Sequence, residues 1–361
     1  MKKNTEPLKD QLSTCLSRID GLQGELEILG LPLAEIVSQF RYARWANALW
    51  GVYASETQAS SAAFLKAQDW AWERLIPVRQ RLARSEDAIS ALRLGLEYVG
   101  AETPVAIAMT LMMSLFGYLR PESEGLANTA LAQDPLERLM WGLFPLEQPE
   151  ILNAKARALE IYLLTVSDHG FNASTYTARV IASTGSDFRA CVQGALGALQ
   201  GPLHGGAPGP VLDMLDAVAA AESAEAWVLK QLQQGKRMMG FGHRIYRARD
   251  PRADVLKAAL VPLRGQGIQR ERLEQAESLE AVVLQVLHER KPGRVLQTNV
   301  EYYTALLLEA IGFSREVFTA VFALGRVLGW CAHVQEQRAI GRLIRPSGHF
   351  YNNDSVKKLL I

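Results

Sequence analysis

Residues 240–252 read Gly240-Phe241-Gly242-His243-Arg244-Ile245-Tyr246-Arg247-Ala248-Arg249-Asp250-Pro251-Arg252. Gly240 and Gly242 shape a loop around His243. Arg252 adds a fixed cation suited to a carboxylate. Upstream, Gly201-Pro202-Leu203-His204-Gly205-Gly206 sets a second histidine beside glycines. Downstream, Asn299-Val300-Glu301 ends in a carboxylate. Two imidazoles and one carboxylate are the usual parts for taking a proton from carbon while a carbonyl is polarised. A histidine beside glycines is a weak signal alone, and His204 in isolation reads better as a histidine capping a loop, so the ordered set carries the argument.

Composition excludes several classes. At 361 residues the chain can bury a large core and is expected to form two lobes. It is 48% hydrophobic and 21% charged, with a net charge of +1, so no basic field points to nucleic acid. Cys15, Cys191 and Cys331 are odd in number and far apart, without metal-ligand spacing. They read as free, mostly buried thiols in a reducing compartment. Lys2 and Lys3 are followed by no apolar stretch, and the uncharged run Val105–Leu119 is short of the about 20 residues that span a bilayer. A cytoplasmic protein with no membrane partner is expected, and Val105–Leu119 reads as a buried helix.

Ala, Leu, Glu, Gln and Arg abound and alternating β-branched runs are scarce, so the chain reads as all-α. Residues Ala154–Val166 carry Leu159, Tyr162, Leu163 and Val166 at helical spacing, a helix that would deliver Asp168 and His169 to its C-terminal end. Ser186–Leu199 reads as another helix, with Ser186 as N-cap. Its small residues Ala190, Gly194, Ala195, Gly197 and Ala198 invite close approach, either inside the monomer or between subunits.

Taken together, the three stretches resemble the citrate synthase family. Asp168-His169-Gly170-Phe171-Asn172-Ala173-Ser174 resembles the family's upstream histidine motif. Ala323-Leu324-Gly325-Arg326, with Gly329-Trp330 after it, resembles the late arginine helix, and Arg345-Pro346 the terminal Arg-Pro. The resemblance is strong from about Ile161 to Pro346. Near the N-terminus it is carried only by Ile19-Asp20-Gly21 and Gly24-Glu25-Leu26, and 40–100 shows little of it. It implies a two-domain all-α fold, with a large domain of residues 1–204 and 307–361 and a small one of residues 205–306, the site lying in the cleft between them.

The resemblance also assigns roles. His204 would hydrogen-bond a thioester oxygen and stabilise the enol of an acyl-CoA, acetyl-CoA first among candidates. His243 would polarise the ketone of a 2-oxo acid such as oxaloacetate, and Glu301 would be the base. His169, Arg252, Arg326 and Arg345 would hold the dicarboxylate, Arg345 reaching the other subunit of a homodimer. Arg247 would meet CoA phosphate, or else belong to a solvated basic face. No metal or cofactor is called for beyond acyl-CoA as co-substrate, and no His-x-x-His or Cys-x-x-Cys pattern supplies a metal site.

One residue departs from the family pattern: Glu301 stands where the family carries aspartate. One more methylene moves the carboxylate by about an ångström, and misplacement of that size costs roughly 100-fold in rate. The backbone is set back to compensate, or the substrate pair differs, or the site is impaired. A differing pair includes phosphonopyruvate, giving 2-phosphonomethylmalate, or propionyl-CoA, giving 2-methylcitrate. The competing class is a non-catalytic CoA- or dicarboxylate-binding regulator. Tyr302 and Tyr303 pack against the acyl group or sit in the core.

Overall fold

The computed structural model describes residues 13–53, 59–123, 132, 134–205 and 209–346. Gly206 lies outside them. Helices dominate, and their starts follow from the sequence. Pro104, Pro135, Pro149 and Pro251 each occupy a first helical turn, where a missing N–H costs nothing. Thr103, Asp134, Asn172, Asp187 and Asp250 cap their helices through side-chain oxygens that accept backbone N–H groups. Each such cap contributes about 1 kcal/mol.

Two boundaries differ from expectation. The helix read as Ala154–Val166 runs Pro149–Thr165, because Pro149 opens it a turn earlier. The helix expected to be capped by Ser186 is Phe188–Gln200, capped by Asp187, whose Oδ1 accepts from Ala190 N at 2.7 Å. Ser186 instead shares a hydrogen bond with Thr184, Oγ to Oγ, at 2.9 Å. A carboxylate one residue on outcompetes the hydroxyl, since it meets the helix N-terminus with charge.

An N-terminal element was not expected. Ser17–Asp20, Glu25–Ile28 and Leu31–Pro32 form a three-stranded antiparallel sheet in that order, with Ser17 opposite Ile28 and Asp20 opposite Glu25. Asp20 Oδ1 closes its first turn by accepting from Leu22 N and Gln23 N, both at 3.0 Å, and Gly24 takes φ +71°. Leu26 and Ile28 point into the core.

The core is built around the helix Phe318–Ile340. It is long and apolar enough to cross a bilayer, but 89% of its apolar window is buried inside the fold, which makes it a core helix. It packs on Tyr42–Gly51, Pro104–Leu119, Pro149–Thr165, Ala173–Ala182 and Phe188–Gln200. Pro104–Leu119 is buried along nearly its whole length, as its uncharged run led us to expect. Each fully buried Leu or Phe in this set contributes roughly 1.5–3 kcal/mol over its exposed state.

A second group comprises Gly209–Ala219, Ala224–Gln233, Pro251–Gly265, Arg270–Arg290 and Val300–Ile311. Pro251–Gly265 and Val300–Ile311 pack on each other and on Pro149–Thr165. The boundary expected at 306/307 falls within Val300–Ile311, which Gly312 ends at φ +111°.

The central helix meets the segment 163–168 almost backbone to backbone. A Cβ at Gly325 would stand 2.7 Å from Leu163 O, and one at Gly329 2.3 Å from Ser167 O. Gly329 N donates to that same oxygen at 3.1 Å. Glycine is required at 329 because Ser167 O is backbone and cannot swing away. Gly329→Ala is expected to cost about 1–3 kcal/mol, read as a lower denaturation midpoint at unchanged slope.

Candidate active site

A cavity of about 580 Å³ is lined by His169, His204, His243, Arg252, Glu301 and Arg326, together with Phe171, Leu203, Thr304 and Phe322. It is of the size that takes small organic ligands. Six of the eight residues singled out from the sequence therefore meet in one place. Arg247 and Arg345 do not line it. Both are exposed, and one Arg247 Nη bonds the carbonyls of His243 and Arg244 at 3.3 and 3.2 Å.

His243 follows Gly242, whose φ of +82° bends the loop inward. The backbone N–H groups of Ile245 and Tyr246 point at His243 Nδ1, at 3.0 and 3.1 Å. A backbone N–H only donates, so Nδ1 accepts and the ring proton sits on Nε2. Burial, reinforced by Arg252, lowers the His243 pKa to about 4, so the ring is neutral at pH 7. Arg252 Nη2 lies 3.4 Å from Nε2. Two donors thus converge where a carbonyl or carboxylate oxygen would sit.

His204 is fixed by the same logic. Ser174 N approaches its Nε2 at 3.4 Å and Ser174 Oγ at 2.9 Å. Ser174 is itself held by Trp330 Nε1 at 3.1 Å. The obligate donor makes Nε2 an acceptor, so the neutral ring carries its proton on Nδ1. Nδ1 is therefore the ring's one donor, and the residue's own backbone carbonyl is an acceptor that a ligand oxygen would replace. Burial, then Arg326, lowers the His204 pKa to about 4. Gly205 is equally constrained, since a Cβ there would stand 2.5 Å from Leu199 O.

Glu301 is the second residue of the helix Val300–Ile311, whose N-cap Asn299 accepts its N–H at 3.0 Å. Asn299 also donates from Nδ2 to Gly242 O at 2.8 Å and from its N–H to Gly240 O at 2.9 Å. One asparagine thereby ties the carboxylate to the His243 loop. The Glu301 carboxylate has no hydrogen-bond partner among the described residues. Burial raises its pKa to about 7, Arg252 opposing and Asp250 adding to the rise. A base poised near neutrality is what proton abstraction needs.

The two buried arginines differ. Arg252 is clamped by Asp250, Nε to Oδ1 at 3.0 Å and Nη2 to Oδ2 at 2.8 Å. Asp250 Oδ2 also accepts Val300 N at 3.0 Å, which locks Arg252 to the start of the Glu301 helix. Arg326 is 1% exposed and makes no ion pair among the described residues; its Nε donates to Val166 O at 2.6 Å. Arg326 lines the cavity, and its Nη atoms make no hydrogen bond among the described residues. Burial holds its pKa down to about 10, so it remains a cation at pH 7. An unpaired buried guanidinium on a cavity wall is a site for an anionic ligand.

Several participants were missed from the sequence. Tyr246 is buried, and its hydroxyl lies 3.1 Å from His169 Nε2 while its ring packs 4.7 Å from that of His243. Burial, then Arg252 and Arg326, lowers the His169 pKa well below its usual value. Behind His169, His333 bonds Asp168 Oδ1 at 3.2 Å and Arg179 at 3.0 Å, and Arg179 pairs with Glu336. His333 lies two helical turns beyond Arg326, and that spacing was the available signal. Tyr302 and Tyr303 are core residues, bonded to Ala276 O and to Glu280 rather than lining the cavity. Of the cysteines Cys15 is exposed and two are buried. No cluster of metal-ligating side chains occurs among the described residues.

A family model described as "Citrate synthase, C-terminal domain" matches residues 10–347. The chain belongs to the citrate synthase family. A citrate synthase of Deinococcus radiodurans is 30% identical over 350 residues, covering 93% of this chain and 92% of that one. A Mycobacterium tuberculosis relative is 48% identical over 190 residues, 53% of this chain, so the match spans about half (50%) of that protein's length. Among solved structures, the citrate synthase of Thermotoga maritima is similar with a TM-score of 0.75 at 28% identity, covering 98% of this chain and 96% of that one. A citrate synthase of Thermoplasma acidophilum solved with carboxymethyl coenzyme A and oxaloacetate gives a TM-score of 0.76 at 24% identity over 96% of this chain and 94% of that one, a likeness of fold. The family model also spans residues 40–100, where the sequence alone showed little resemblance.

Proposed function

We propose that this chain joins the α-carbon of an acyl-CoA to the ketone carbon of a 2-oxo dicarboxylate and then hydrolyses the thioester. The observation that carries the reading is one cavity holding a carboxylate with a pKa of about 7, two neutral histidines with assigned donor nitrogens, and an unpaired buried arginine. Glu301 takes a proton from the acyl carbon while His204 Nδ1–H stabilises the enol oxygen. The enol carbon then attacks the ketone. His243 Nε2–H and Arg252 stabilise the developing alkoxide, and His243 gives up its proton to it. Water cleaves the thioester, releasing CoA and a citrate-type tricarboxylate. His169, Arg252 and Arg326 supply the charge that holds a doubly acidic acceptor.

Acetyl-CoA and oxaloacetate are the first-choice pair. Propionyl-CoA is the second reading, and a Shewanella oneidensis 2-methylcitrate synthase 36% identical over 202 residues supports it. That match covers 56% of this chain and 52% of that one. Phosphonopyruvate is a further acceptor consistent with the arginines. A homodimer belongs to the same reading: Gly197 is exposed on Phe188–Gln200, and Arg345, exposed and not lining this chain's cavity, would complete a partner's site. Arg247 is the proposed contact for CoA phosphate.

The test is free-thiol release from acetyl-CoA or propionyl-CoA with oxaloacetate, phosphonopyruvate, pyruvate and 2-oxoglutarate. Thiol release that depends on the acceptor supports the reading. Stabilisation by ligands without turnover would replace it with a binding protein. His243→Ala is expected to lower turnover by about 10²–10⁴-fold with the far-ultraviolet circular dichroism spectrum unchanged.

A further inference from the structure

The N-terminal hairpin carries the two sequence fragments, Ile19-Asp20-Gly21 and Gly24-Glu25-Leu26, that the chemistry above leaves unused. Its contacts are specific. Cys15 N, just before the first strand, donates to Glu336 Oε1 of the central helix at 2.9 Å. Ser17 Oγ accepts Gly170 N at 3.1 Å, directly after His169. Gly170 has φ +55°, and a Cβ there would stand 3.3 Å from Ile19 Cδ1. At the turn, Gly21 O accepts Arg247 N at 2.6 Å. A Cβ on Gly21 would stand 2.6 Å from Ile245 O, and one on Gly24 2.8 Å from Arg249 O. One hairpin therefore touches the loop bearing His169 with its strand and the loop leading from His243 to Arg252 with its turn. No hydrogen bond joins it to His204 or Glu301 among the described residues.

We propose that the hairpin Ser17–Ile28 is a strap that holds the His169 loop against the His243–Arg252 loop and so positions the acceptor half of the site. Ser17, Gly21 and Gly24 are its positioning residues. The physical case is that His169 and the His243–Arg252 loop lie on different segments, yet must present their donors to one small ligand. The rings of His169 and His243 stand 5.8 Å apart. A shift of about an ångström between those segments costs roughly 100-fold in a positioned reaction. The two glycines let the turn lie against the carbonyls of Ile245 and Arg249, a distance that no side chain permits. The strap deepens the function proposed above and rests on it for the identity of the ligand.

The test uses the full chain with Gly21→Ala and Ser17→Ala, and Gln23→Ala at the turn as a control. Two readouts separate the ideas. Amide hydrogen exchange needs no ligand. In Gly21→Ala it is expected to rise on the order of tenfold both at 245–249 and at the 168–171 segment that Gly21 does not touch. Faster exchange confined to 245–249 would overturn the strap. Kinetics then reads its consequence: KM for the 2-oxo acid is expected to rise roughly tenfold in both variants, and in Ser17→Ala, whose hydroxyl bonds Gly170 N rather than the Arg247 segment, KM for acyl-CoA is expected to stay unchanged. A purely structural defect would lower kcat by the inactive fraction and move neither KM, which would also overturn it. Ser17→Ala removes a hydroxyl without introducing a clash, so it keeps the test alive should Gly21→Ala fail to fold. A wild-type protein inert toward every acceptor would refute the condensation reading, while the exchange pattern would still decide the strap.

Discussion

Glu301→Gln is expected to lower thiol release from acetyl-CoA by about 10³-fold, within the range of about 10²–10⁴ that a positioned base contributes. The amide keeps the shape and removes the proton acceptor. The other histidines and arginines that line the cavity remain in place, so KM for the acceptor is expected to stay near the wild-type value. In the native protein kcat/KM is expected to rise with pH through about 7, because only the ionised carboxylate accepts a proton and burial holds its pKa there. Glu301→Gln removes that limb. A variant that still exchanges solvent deuterium into the acyl carbon at the wild-type rate would assign the base to another group.

The same substitution has a stability signature of opposite sign. Glu301 titrates at about 7 when folded, against 4.5 for the ordinary carboxyl. Between those values the unfolded chain has released a proton that the folded chain still holds. Its contribution to stability is therefore full below pH 4.5 and is lost as pH rises through about 7. Glutamine avoids that loss. At about pH 8 Glu301→Gln is expected to be more stable than the native chain by about 2–3 kcal/mol, discounted for solvent entering the cavity. The advantage should vanish in acid. A gain that persists unchanged there would point to packing rather than ionisation.

Much of the architecture was legible because local signals and tertiary demands agree in this chain. The helix ending near His169 follows from its apolar spacing, and its proline start shifts only its boundary. The residues meeting in the cavity were legible as an ordered set, since glycine beside histidine recurs twice and each arginine sits in a motif. Tyr246 was not legible. Its role depends on a contact between segments 77 residues apart, and no local pattern marks a tyrosine that bonds another segment's imidazole. Asp250 was visible only as a neighbour of Arg252, whereas it also caps one helix and accepts the first N–H of another. The hairpin escaped because its first strand is four residues of mixed polarity, too short for alternation to register. Tyr302 and Tyr303 went to the core because a helix start aims only part of its circumference at the cavity, and Glu301 occupies that part.

Arg326→Met is expected to raise KM for the 2-oxo acid by about 10²–10³-fold, as the loss of one partner from a buried charge pair with the ligand costs about 2–5 kcal/mol. Methionine fills similar space and still packs on Phe322, over whose ring the guanidinium now sits at 4.6 Å. The effect on the unliganded fold runs the other way. Burial lowers the Arg326 pKa from 12.5 to about 10, and no carboxylate among the described residues is paired with it. At pH 7 the penalty for holding that cation in the folded chain is fully present, and it is relieved only above about 10. It amounts to about 3 kcal/mol by that shift, offset in part by the hydrogen bond to Val166 O. The variant is therefore expected to match or exceed the native denaturation midpoint without ligand, and to gain little when the 2-oxo acid is added, where the native chain gains much. A structural arginine would give the reverse: a less stable variant with its acceptor KM intact. On the proposed reading the partner of this costly charge is the substrate: a cavity that keeps such a charge would close its hydrogen-bond and charge balance only when an anion is bound.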